Sequence, residues 1–74
     1  MTNKARLEQL TGREHVYTAT NLHLLLNDIE DLGFAVDFWE DNEILVSKGK
    51  SRFSLHVKSV IGTSWIWIDK VEKA

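Results

Sequence analysis

The period of the apolar residues changes at Gly33, and that switch restricts the chain to few architectures. Before it, Leu22, Leu25, Leu26, Ile29 and Leu32 recur at three- and four-residue spacing, the stripe of an amphipathic helix. Thr18 or Thr20 offers a hydroxyl for the N-cap. Gly33 suits the C′ position, where a positive φ favours a residue without Cβ, and Phe34 then packs back on Ile29 as in a Schellman motif. The spacing predicts a helix over 19–32. Leu7 and Leu10 predict a shorter helix over 4–10, stopped by Gly12.

After Gly33 the period is two. Phe34, Val36 and Phe38 alternate with Ala35, Asp37 and Trp39; Ile44 and Val46 follow, then Phe53, Leu55 and Val57, then Trp65 to Ile68. These segments predict four strands joined by short turns at 40–42, 48–51 and 59–62, an antiparallel meander. The demand that apolar residues share a face proposes the register. Phe38 then faces Ile44, Val36 faces Val46, Val46 faces Phe53, Ile44 faces Leu55, Leu55 faces Ile66 and Phe53 faces Ile68. The helix stripe covers that face, which gives an α+β domain of two layers over residues 1–74, with Leu25, Leu26, Ile29, Phe38, Ile44, Leu55 and Ile66 in the core. A chain of this length buries roughly 60–65% of its unfolded surface, so its stability is modest.

The same register fixes an outer face. One row reads Trp39, Glu43, His56, Trp65; the next reads Asp37, Leu45, Ser54, Trp67; the third reads Ala35, Ser47, Arg52, Asp69, the last two an opposite-charge pair. So much aromatic surface is either covered by Leu7, Leu10, Val16 and Tyr17 of the N-terminal segment or serves as an interface, and Trp39, His56, Trp65 and Trp67 are its candidate contact residues. Self-association through this face, as a structural subunit, is one form of that interface.

Charge supplies a second unusual surface. Residues 14–47 hold eight carboxylates and no Lys or Arg, for a charge of −8. The flanks carry +2 (residues 1–13) and +4 (residues 48–74), so the net −2 hides a strong asymmetry. Such asymmetry bears on partners rather than on fold. Asp28, Glu30 and Asp31 fall at the helix C-terminus, where the macrodipole disfavours anions by about 0.3–1 kcal/mol each. Asp37, Glu40, Asp41 and Glu43 extend the charge onto the first hairpin. An acidic run commonly serves solubility. Placed where it opposes stability, this one points to selection for a partner with a basic surface.

Chemistry is sparse. The chain has no cysteine, which fits a reducing, cytoplasmic setting and removes thiolate chemistry. Its start lacks the apolar stretch of a signal peptide, and no apolar run approaches the ~20 residues that span a bilayer. His15, His23 and His56 lack metal-ligand spacing, and no cofactor is expected. Ser54, His56 and Glu43 share a face but form no pocket or oxyanion hole. Lys48-Gly49-Lys50-Ser51 lacks the glycine spacing and following helix of a phosphate loop. No EF-hand ligand pattern stands at 40–43. Lys48, Lys50, Arg52 and Lys58 near aromatic residues suggest a platform for single-stranded nucleic acid, but the acidic balance and the absence of an RNA-binding motif disfavour it. The reading that remains is a non-enzymatic binding module whose acidic side covers a basic site on another protein, as an inhibitor or nucleic-acid mimic would.

Overall fold

The computed structural model of the protein describes residues 2–40 and 42–74. Two α-helices, α1 (Asn3–Glu8) and α2 (Leu22–Asp31), precede four strands: β1 (Ala35–Glu40), β2 (Glu43–Lys48), β3 (Ser51–Ser59) and β4 (Ile66–Lys73). The strands form one antiparallel sheet in the order β1-β2-β3-β4. The architecture is α+β, as the change of period predicts.

Each helix begins and ends for a local reason. The Thr2 hydroxyl accepts from the Ala5 N–H at 3.1 Å and caps α1. The expected hydroxyl cap on the main helix is absent: Ala19–Asn21 form a 3-10 turn ahead of α2, and neither Thr18 nor Asn21 makes a side-chain capping bond. The C-terminus is the Schellman motif expected. Gly33, at φ +90°, donates to the Glu30 carbonyl at 2.8 Å, and Phe34 donates to that of Ile29 at 3.4 Å. Phe34 is thereby turned into the core, edge-on to Phe53 with ring centroids 6.0 Å apart.

The central hairpin has the proposed register, with Ile44 opposite Leu55 and Val46 opposite Phe53. The other two depart from it. At the β1–β2 turn Glu40 pairs with Glu43, which leaves a two-residue connection where three residues were expected. Trp39 therefore faces Ile44, and Phe38 faces Leu45, while Val36 still faces Val46. Asp37 is the extra residue of a bulge that reconciles the two registers. The bulge reverses the expected placement: Trp39 packs on the core, and Phe38, expected there, is 43% exposed.

In the third hairpin Val57 faces Ile68 and Ser59 faces Ile66, rather than Leu55 facing Ile66. A second bulge at Asp69 lets Leu55 face Val71. The connection is therefore 60–65, longer than expected, and Trp65 lies in it instead of in a strand. Running β4 on to Lys73 buries Val71, an apolar residue the shorter strand leaves unused.

Leu7, Tyr17, Leu25, Ile29, Ile44, Leu55 and Ile68 belong to one core between helices and sheet. Leu26 and Ile66 are only half-buried. Leu7 is fully buried, so α1 completes the core instead of covering the outer face. The following segment pairs with the first residues of β4 along its free edge. Gly12 donates to the Ile68 carbonyl at 2.9 Å, and Tyr17 and Ile66 exchange backbone hydrogen bonds of 2.8 Å. β1 remains an edge strand, interrupted by its bulge in the manner that discourages further pairing.

Candidate functional site

The acidic residues do not form one patch. α2 carries Glu30 and Asp31 to the end of the molecule where β2 meets β3, whereas β1 carries Asp37 and then Glu40 toward the opposite end, where Glu43 follows. The carboxylates are strung along the α2–β1 side. Asp41 lies outside the described residues.

Individual environments separate them further. Asp28 is half-buried and accepts a 2.6 Å hydrogen bond from the Tyr17 hydroxyl. Burial first, then this carboxylate, pushes the Tyr17 phenol above its ordinary range. Asp28 is therefore a tie between the N-terminal segment and α2. Glu43 accepts a 2.6 Å bond from Ser54 and sits opposite Glu40, a like-charge pair in register. Glu30, Asp31, Asp37 and Glu40 are exposed.

Among the described residues, none of these six carboxylates makes an ion pair. The helix end nonetheless has a cation close by. The Lys48 ammonium lies 5.7 Å from the Phe34 ring centre and would be 3.2 Å from a Cβ at Gly33. β2 thus supplies the positive charge that α2's own last turn lacks, so the expected absence of compensation at the macrodipole is corrected.

The outer face is arranged otherwise than proposed. Trp39 faces inward. Trp67 lies on the outer side but is 8% exposed, with the Arg13 guanidinium 5.1 Å over its ring. Leu7 and Tyr17 enter the core, Leu10 packs partly buried against it and Val16 is exposed; the N-terminal side chain that lies over Trp67 is Arg13. Trp65 alone of the three is substantially exposed, at 53%.

Two lysines and a histidine of this face have acidic neighbours. Lys70 lies 2.8 Å from Glu72, Lys58 lies 3.5 Å from Asp69, and the half-buried His56 lies 3.3 Å from Glu72 without hydrogen-bond alignment. The hydrogen bond between them raises the Lys70 pKa and lowers that of Glu72. Asp69 thus pairs with Lys58 and not with Arg52, because the third hairpin is shifted. Ser54 donates to Glu43 and His56 is turned to Glu72, so no nucleophile–base contact forms between Ser54 and His56. No group of three or more His, Asp or Glu side chains is placed to hold a metal among the described residues, and no described helix is long and apolar enough to cross a membrane.

One feature lies outside the expected sites. The 60–65 connection extends past the β1–β2 turn, whose Asn42 carbonyl accepts from Val57. Ile61 there is fully exposed and Val60 39% exposed. Beside it Leu22, Trp39, Val57 and Ile66 line an open cleft of about 320 Å³, with Glu40 also on its wall. The absence of any charge from Ser59 to Ile68 is the signal in the sequence. Its reading as an ordinary short hairpin hid the exposed tip.

No protein-family model, no curated protein and no solved structure matches the chain.

Proposed function

We propose that the protein is a small non-enzymatic binding module whose carboxylate strip, Glu30, Asp31, Asp37 and Glu40, meets a basic surface on a partner protein and occludes it, as an inhibitor or nucleic-acid mimic does. The supporting observation is the contrast between the two sides. Outer-face Lys58 and Lys70 each lie beside a carboxylate, whereas no carboxylate of the strip makes an ion pair among the described residues, Lys48 standing near the helix end only. Unpaired like charge along an edge acts over a distance and steers a basic partner into place. Lys58 and Lys70 are each paired with a carboxylate, and with Trp39 inward and Trp67 covered the outer face offers no row of stacking partners for bases, which weighs against single-stranded nucleic acid.

The experiment compares capture of proteins from native host cells by the wild type and by a variant with Glu30→Gln, Asp31→Asn, Asp37→Asn and Glu40→Gln. These positions are exposed, so the fold is retained. The reading expects a basic partner whose association slows by on the order of tenfold with the variant and with added salt. Equal capture by both chains refutes it. So does salt-sensitive binding of a single-stranded oligonucleotide by the wild type.

A further inference from the structure

We infer that the end of the molecule carrying the β1–β2 turn and the 60–65 connection binds a basic amphipathic segment of the partner, with apolar side chains seated in the cleft over Trp39, Val57 and Ile66 and a Lys or Arg beside them at Glu40. This rests on the reading of the acidic strip and specifies where its partner anchors. The cleft is apolar on its floor, and a half-buried tryptophan in such a place is the usual centre of an interface. The connection that continues from Ile66 presents Trp65 and the fully exposed Ile61, more apolar surface than a turn needs.

Charge selects the occupant. Glu40 lines the cleft and its cross-strand neighbour Glu43 lies beside it. A second copy of this chain would bring these carboxylates against their own equivalents, and an anionic lipid surface would meet the same repulsion. A segment with an apolar stripe flanked by cations satisfies both the floor and the rim, the helix-in-groove mode of recognition.

The test titrates the isotope-labelled full chain with two synthetic peptides of equal positive charge. One is built of lysine and leucine with the leucines at helical spacing, the other of lysine and glycine. The lysine–leucine peptide is expected to bind more tightly and to shift the resonances of Trp39, Val57, Ile61 and Ile66. Ile61→Ser, at a position that contributes nothing to the core, is expected to weaken that binding by about tenfold. Glu40→Gln is expected to weaken it and reduce its salt dependence. Equal binding of both peptides, or unchanged affinity in the two variants, overturns the cleft and leaves the acidic strip standing. Failure of both peptides to bind overturns the strip as well. Concentration-dependent shifts at Ile61 and Trp65 that the peptide does not displace overturn the proposal in favour of a second copy of the chain.

Discussion

Removing one side chain at each of two neighbouring positions tests the β1 bulge. In a regular ladder from Val36 onward, Phe38 points inward and Trp39 outward; with Asp37 as the extra residue the roles reverse. Trp39 is half-buried against the core, so Trp39→Ala forfeits about half of the roughly 3–5 kcal/mol typical of a fully buried aromatic, or about 2 kcal/mol. Phe38 is 43% exposed beside Leu45, a cross-strand contact worth at most about 1 kcal/mol. For a domain of this size about 2 kcal/mol lowers the thermal midpoint by roughly 8–16 °C, and the Phe38→Ala shift should be half of that or less. Deleting Asp37 outright should be tolerated, because it joins Val36 to Phe38 in a regular ladder and leaves Trp39 inside. Thermal unfolding followed by circular dichroism reads all three. A larger loss for Phe38→Ala than for Trp39→Ala, or failure of the Asp37 deletion to fold, refutes the bulge and the facing it sets.

Three further predictions concern single contacts. Gly33→Ala forces a Cβ into a φ of +90° and against the Lys48 ammonium, so it should cost about 1–2 kcal/mol in chemical denaturation, while Gly49→Ala, with open space around it, should cost less. The Tyr17 phenol has a raised pKa in the folded state, so its contribution to stability is complete below its ordinary value of 10.0 and declines as pH rises beyond it; the alkaline loss of stability should shrink in Tyr17→Phe, measured by urea midpoints across pH 8 to 11. Arg13→Ala should uncover Trp67, which is seen as a red shift of tryptophan emission with little change in midpoint.

How far the sequence reveals this fold depends on how local the determining contact is. The helix stop at Gly33-Phe34 is set within six residues and was legible, as was the central hairpin, where Val46–Phe53 and Ile44–Leu55 follow from alternation alone. The two outer hairpins were not: a bulge shifts β1 by one residue, and the longer 60–65 connection, with a second bulge at Asp69, displaces β4 by four residues and then five. Nothing in the alternation of residues 34–39 announces that Asp37 is skipped, and a face assignment carried through it is inverted at Phe38 and Trp39. The apolar residues of the N-terminal segment were visible, but their destination was not: Leu7 reaches the core from α1 and Tyr17 by pairing with Ile66 of β4, contacts between distant parts of the chain. The acidic composition was plain, yet its division into a tied Asp28, an exposed strip and the carboxylates of β4 that neutralise lysines is a property of the assembled sheet.

The closure of the β4 edge by Thr11 and Tyr17 also orders events in time. The segment that pairs beside β4 is made before any strand of the sheet, and β4 follows every other element of the fold. Leu7 and Tyr17 therefore wait, uncovered, through most of synthesis, while α2 and the β1–β2 hairpin close on local contacts. Docking of residues 11–17 on β4 joins segments about fifty residues apart, and loop-closure entropy makes it slow relative to the local hairpins. A nascent chain stalled before β4 presents an unsealed β3 edge beside an unfilled core, the species from which misassembly starts.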